Sequence, residues 1–188
     1  IGQKNLKRLV AYSSIGHIGY ALAGLCAGTN EGLQSSIIYI SIYLIMNLGL
    51  FSFLLMMKRN NEYFESLDDL SGLSKNHPVL SLSLLIILFS LAGIPPLAGF
   101  FAKFYIFKSV IEQSMYFLAI VGLLSTVIAA FYYLRIIKII YFDKEKEKYD
   151  TDHNILLKIS LTLSTLLILL YFIFPGKLVE IVSRINIV

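Results

Sequence analysis

Charge is scarce in this chain, cysteine is almost absent, and acidic residues are missing from the interior of every long apolar run. Only 15% of the 188 residues are charged, 57% are apolar or aromatic, and the mean hydropathy is +0.75. A water-soluble domain of this length does not have that balance, so a bilayer is the expected solvent. One cysteine, Cys26, excludes a disulfide framework and any multi-cysteine metal or iron–sulfur site. Lying in an apolar run, it reads as a small packing residue. There is no phosphate loop, no dinucleotide fingerprint and no nucleophile elbow, and His77 and His153 stand in connectors without metal-ligand spacing. The sequence therefore offers no catalytic residue, no metal site and no cofactor site within the chain. The net charge of +4 does not point to nucleic acid either, because the lysines lie between apolar runs, where they report topology.

What is present is a set of apolar runs long enough to cross a hydrocarbon layer of roughly 30 Å. The reading is all-α: a polytopic transmembrane helix bundle and a single membrane domain over residues 1–188, with about five spans near 9–27, 36–57, 79–111, 116–142 and 155–174. The third run is awkward. As a straight helix it would be roughly 50 Å long, too much for one crossing and barely enough for two. The distribution of Lys and Arg decides between them. With one crossing, twelve of these residues, from Lys4 to Lys158, share a face, against Lys108, Lys177 and Arg184 on the other; with two crossings the division is nine to six. One crossing is preferred, which puts the start of the chain in the cytoplasm and its end outside. Residues 58–77 read as a cytoplasmic connector in which Ser66 and Asp69 could cap a short helix. The run at 143–152 alternates charge sign and reads as a solvated loop. The chain starts at Ile1 with a basic segment and no cleavage pattern, so an upstream portion is expected.

A long segment that crosses once must bend or unwind. Gly93, Pro95, Pro96 and Gly99 place the break near residues 93–99, since each proline lacks a backbone donor and clashes with the preceding turn. Carbonyls freed at that depth must be buried in protein or line a wet cavity, and two half-helices meeting there point their dipole ends at the gap. Lys103 follows the break near mid-membrane, whereas Lys108 is close enough to the outer interface to snorkel. Lys103 reads either as an amine that loses and regains a proton or as a structural cation that snorkels or pairs with a carboxylate. No span interior supplies that carboxylate, so either the site is wet or the partner lies elsewhere.

His17, about mid-depth in the first span, is either a proton relay or a helix–helix hydrogen bond, with Ser13 and Ser14 one turn earlier. Tyr39, Tyr43 and Asn47 follow at steps of four on one helix face; they line a hydrated path or serve as packing, and packing is preferred for Tyr39 and Asn47. Tyr132, Tyr133 and Arg135 read as anchors at the cytoplasmic end of the fourth span. Lys7 and Arg135 are kept as possible accessory groups.

Three stretches, NLKRLVAYSSIGHIGY (5–20), SLAGIPPLAGFFAKFYIF (90–107) and AFYYLRIIKIIYF (130–142), together resemble the antiporter-like membrane subunits of proton-pumping NADH:quinone oxidoreductase, respiratory complex I. The third is most similar to the subunit N branch, called subunit 2 in mitochondria. The other two occur in similar form in multi-subunit cation/proton antiporters. The resemblance implies a fourteen-helix fold with two inverted five-helix repeats, each holding one discontinuous helix, of which this chain would supply the tenth to fourteenth helices. It implies that Lys103 is the central lysine of the second broken helix and that His17 matches a histidine of the tenth. Tyr43 falls where some relatives carry another histidine. An acidic partner and further lysines would lie in N-terminal helices outside this sequence.

The function implied is proton translocation coupled to electron transfer in other subunits, with Lys103 as the outward gate and His17 and Tyr43 on the proton path. NADH, FMN, iron–sulfur clusters and quinone would belong to the parent complex. The expected partners are the bilayer, other membrane subunits and the missing helices. The expected location is the bacterial inner (plasma) membrane, or the inner mitochondrial membrane if the gene is organellar. Two alternatives stay open: a subunit of a cation/proton antiporter, and a truncated remnant with a structural role only.

Overall fold

The structure is a computed structural model and describes residues 2–59, 62–146, 150 and 154–184. His153, Lys148 and much of the 143–152 run lie outside the described residues. Helix α1 spans Leu6–Cys26 and α2 spans Asn30–Met56. Two-residue strands β1, Lys58–Arg59, and β2, Glu62–Tyr63, pair antiparallel and lead into a 3-10 turn at Leu67–Leu70 and a short helix α3, Leu73–Asn76. Helix α4, Pro78–Ala92, and α5, Ala98–Glu112, follow, then α6, Tyr116–Phe142, α7, Ile155–Leu170, and α8, Pro175–Ser183.

Local chemistry sets these boundaries. Asn5 caps α1 by accepting from the Arg8 amide at 2.9 Å, and Thr29 caps α2 by accepting from the Gly32 amide at 3.1 Å. Pro78 opens α4 at the position where its missing N–H costs nothing. The Ser66–Asp69 capping box is formed, with the Asp69 carboxylate accepting from the Ser66 amide at 3.2 Å.

By length and composition α1, α2 and α6 can each cross a membrane, and α7 passes the same test only together with α8, from which it is bent by 90°. The apolar run up to Phe174 is thus not one straight helix. α7 stops at Leu170, residues 171–173 form a turn, and α8 departs at a right angle.

Backbone bonds show which helix ends share a face. The Leu6 amide donates to the Glu65 carbonyl (2.6 Å) and Leu67 to Lys4 (2.9 Å). Gly72 donates to Ile139 near the end of α6 (3.1 Å), and Asp150 donates to Lys58 (3.0 Å). The starts of α1, α4 and α7 and the ends of α2 and α6 therefore meet at one end of the bundle. Because α6 begins at the opposite end, directly after α5, the α4–α5 pair traverses the bundle once.

The packed side of α1 carries Leu6, Leu9, Val10, Ser13, His17, Tyr20, Ala21 and Gly24, one stripe at steps of three and four. Its other faces are also apolar, with Ile15 70% and Leu22 53% exposed, and α6 exposes Phe117 and Val127. A helix apolar all round belongs in lipid or among further helices. Cys26 departs from expectation: it is exposed in the last turn of α1, not packed, because it lies off the buried stripe that runs through Ala21 and Gly24 to Ala27.

Candidate proton-transfer site

The break between α4 and α5 is built from main-chain bookkeeping. Gly93 caps α4 in the left-handed conformation, φ 86°, and its amide bonds to the carbonyls of Phe89 (3.1 Å) and Ser90 (2.9 Å), while Ile94 also donates to Phe89 (3.0 Å). A glycine is suited here because any other L residue at that φ carries a steric penalty. The cap satisfies Phe89 and Ser90 but leaves the carbonyls of Leu91 and Ala92, the negative end of the α4 dipole, pointing into the gap.

Lys103 fills it. From α5 its Nζ donates to Leu91 O at 3.0 Å and Ala92 O at 3.1 Å, and only 5% of the residue is exposed. The ammonium also lies 5.2 Å from the centroid of the Tyr20 ring, within reach of a cation–π contact. The sequence offered a carboxylate elsewhere or water as the cation's partner; the structure supplies backbone oxygens of its own broken helix. Gly99 holds the halves together: its amide donates to Ser90 Oγ at 2.9 Å, and a Cβ there would overlap the Ser90 carbonyl. Pro95 and Pro96 form the exposed corner of the break. A cavity of about 490 Å³ between α5 and α6, walled by Phe100, Phe104 and Phe107, reaches Lys103 and Gly93.

His17 sits in a ring of tyrosines from three helices. Its Nδ1 is 2.7 Å from the Tyr39 hydroxyl on α2 and its Nε2 is 3.1 Å from the Tyr133 hydroxyl on α6, which in turn is hydrogen-bonded to Ser13. A neutral imidazole has one donor and one acceptor nitrogen, so one tyrosine donates to it while the other accepts. Tyr43 contributes its ring face, stacked on the imidazole with centroids 4.6 Å apart. Tyr20 stands edge-on to His17 at 6.2 Å and is anchored by Ser125 (2.8 Å) and Thr126 (2.9 Å). It is the aromatic ring common to Lys103 and His17.

The structure thus gathers Lys103, His17 and Tyr43 in one buried cluster and adds Tyr39, Tyr133 and Tyr20. Tyr133 was expected at the cytoplasmic rim as an anchor, but it is 1% exposed because it lies on the face of α6 that also buries Ala129, Ile136 and Ile140. Tyr20 was passed over, although its place one turn after His17 on the same stripe was visible. Lys7 lies elsewhere, at the polar end of α1, in an exposed ion pair with Glu65 at 2.8 Å. Arg135 is half-buried two residues along α6 from Tyr133. Among the described residues no group of three or more His, Cys, Asp or Glu is placed to hold a metal ion.

Comparison with known proteins matches residues 1–129 to the transmembrane family described as NADH:quinone oxidoreductase/Mrp antiporter. The chain belongs to this family. Its curated relatives include the NADH-quinone oxidoreductase subunit N of Pelagibacter ubique (strain HTCC1062), 84% identical over all of this chain, and that of Methylobacterium nodulans, 51% identical over 95% of it. The chain spans about two fifths of these relatives, 40% and 37% of their lengths. Among solved structures, respiratory complex I from Thermus thermophilus with bound aureothin superposes with a TM-score of 0.81 at 27% identity, covering 95% of this chain and 40% of that one. The Mrp complex from Dietzia sp. DQ12-45-1b, at 19% identity, shares the fold alone, with a TM-score of 0.85 over 97% of this chain and 42% of that one. The family is one of membrane helix bundles, in keeping with the all-α architecture and apolar outer faces seen here.

Proposed function

We propose that this chain forms part of a proton-translocating membrane subunit of NADH:quinone oxidoreductase, of the subunit N type, and that Lys103 is its proton-carrying group. NADH, FMN, iron–sulfur clusters and quinone would be held by other subunits. The bilayer and the subunit's remaining helices would complete the environment, in the plasma membrane of a bacterium.

The observation that carries this reading is the seat of Lys103 against Leu91 O and Ala92 O. An ammonium has three N–H donors, and two are occupied by these carbonyls. The third proton can leave while a neutral amine keeps both carbonyl bonds and presents its lone pair where the proton was. Burial at mid-depth disfavours the charged form, while the α4 dipole and the Tyr20 face favour it. His17, bonded at both nitrogens to tyrosine hydroxyls, can accept a proton on one side and release it on the other by exchanging which tyrosine donates. Tyr43 stacks on that imidazole and holds its plane; its part is positional in this geometry.

The test is Lys103→Met in the full-length subunit within assembled enzyme, with proton movement measured beside NADH oxidation. Proton movement per NADH should fall at unchanged assembly; unchanged pumping would reject the role. Sodium-dependent exchange in the absence of any dehydrogenase would favour the antiporter reading instead.

A further inference from the structure

Tyr20 makes neither of the hydrogen bonds to His17, yet three helices besides its own hold it. Only 6% of the residue is exposed. Its ring packs against Tyr39 of α2 at 5.9 Å and, T-shaped at 80°, against Phe107 of α5 at 6.1 Å. Its hydroxyl meets Ser125 Oγ at 2.8 Å and Thr126 Oγ1 at 2.9 Å, both on α6. A phenol oxygen donates one hydrogen bond and can accept as well. Ser125 and Thr126 also reach the Gly122 carbonyl, at 2.7 and 3.1 Å, so whichever of them donates there can accept from Tyr20. The position of the ring is thereby fixed from α2, α5 and α6 together.

The ring so fixed has Lys103 Nζ 5.2 Å from its centroid, within the range at which a ring quadrupole attracts a cation. The other two partners of that nitrogen, Leu91 O and Ala92 O, can accept from a neutral amine as well as from an ammonium. The quadrupole acts on the charge alone. Among the described residues no carboxylate lies within ion-pair distance of Lys103. Of the three contacts, the ring is therefore the one that exists only while the amine is charged. Burial strengthens it, because water does not compete for this ammonium as it would for an exposed one.

We infer that Tyr20 is a positioning residue for Lys103, holding the charged amine in the break and releasing the neutral one, with Ser125 and Thr126 pinning the ring for that task. The inference rests on the proton-carrying role proposed for Lys103. A ring present for packing alone would need the shape of Tyr20 but neither its π electrons nor its pinned hydroxyl.

The experiment uses the full-length subunit in assembled enzyme in sealed vesicles, and reads proton movement per NADH oxidised beside the yield of complex. Position 20 carries phenylalanine, or phenylalanine with one or three ring fluorines introduced by stop-codon suppression, which keep the ring's shape and withdraw its π electrons. Tyr20→Phe should keep proton movement within about threefold, the cost of one hydrogen bond. The fluorinated rings should lower it stepwise, the trifluoro form about tenfold or more below Tyr20→Phe, as loss of a desolvated cation–π contact implies. Tyr20→Leu should fall as far. Ser125→Ala with Thr126→Val should lower proton movement when Tyr20 is present and add nothing to Tyr20→Phe, because the pin acts through the phenol. Equal proton movement across the fluorine series at equal yield, with Lys103→Met still defective, would overturn this inference and leave the proton reading standing. Normal proton movement in Lys103→Met would overturn both. An undiminished further loss from the Ser125→Ala and Thr126→Val pair on Tyr20→Phe would overturn the pin.

Discussion

Two lysines of this chain are held in opposite ways. Lys7, at the polar end of α1, meets Glu65 at 2.8 Å with 45% of its side chain and 49% of its partner's exposed. Lys103, between the halves of the broken helix, is 5% exposed and is met by two main-chain carbonyls and the face of a tyrosine. A carboxylate partner would fix the charge on Lys103 by direct Coulomb attraction, which is strong at low dielectric. Carbonyl dipoles bind the amine in either protonation state. The difference teaches that a broken helix provides a seat for a titratable cation without neutralising it, which an ion pair does not.

The sharpest way to break this contrast, after removal of the amine itself, is Gly93→Ala. An alanine at φ 86° costs about 1–2 kcal/mol in backbone strain. Its Cβ would also stand 3.0 Å from Lys103 Cδ and 3.2 Å from Nζ, so the side chain must give by a few tenths of an ångström, which disturbs its seat on Leu91 O and Ala92 O. Crowding of this kind adds about 1–3 kcal/mol. The expected outcome is proton movement lowered about tenfold or more, the change that ~1.4 kcal/mol on the limiting step produces, with a smaller loss of assembled complex. Proton movement against NADH oxidation and the yield of complex on a native gel check both.

Tyr133→Phe is the next largest. It keeps the ring but removes the hydroxyl that joins His17 Nε2 to Ser13. Leaving buried polar atoms without a partner costs about 1–3 kcal/mol, partly recovered here because a serine in a helix can turn to a backbone carbonyl, as Ser14 does to Val10 at 3.0 Å. The expected outcome is a changed pH dependence of proton movement with near-normal assembly, because one side of the imidazole exchange is lost. An identical pH profile would reduce Tyr133 to packing.

These two variants also mark what could be read from the sequence. The break was legible because Gly93, Pro95, Pro96 and Gly99 act through their own backbone chemistry, which neighbours do not alter. The depth of Lys103 was legible because position along a span measures depth. Its partners were not, since carbonyl oxygens belong to every residue and only the Gly93 cap decides which two are left over. The environment of Tyr133 was also hidden: depth along α6 could be counted, but which face turns toward α1 is set by packing. Tyr20 lay in plain sight on the His17 stripe, yet a tyrosine next to a lysine from another helix is a tertiary fact. The capping box at Ser66 needed only local spacing and was readable. Comparison of the whole sequence with its relatives established the family, but roles for particular residues rest on the geometry.

The other side of the contrast gives the smallest effect. The hydrogen bond from Lys7, then that from Asn5 at 2.9 Å, then the charge of Lys7, hold the Glu65 carboxyl below its ordinary range. A carboxyl whose folded value is depressed contributes stability that is complete above its unfolded value, here near 4.5, and is lost as pH falls through the lower folded value. Lys7→Ala should therefore lower the thermal midpoint of the assembled complex slightly at neutral pH and have no effect once the medium is acidic enough to protonate Glu65 in both proteins. The neutral-pH difference should shrink in high salt, as an exposed pair demands. The loop itself should stay docked, because the Leu6 amide still donates to the Glu65 carbonyl at 2.6 Å. A shift as large as that of Gly93→Ala, or one indifferent to salt, would mean that Lys7 is tied into the buried cluster after all, and the contrast between the two lysines would have to be withdrawn.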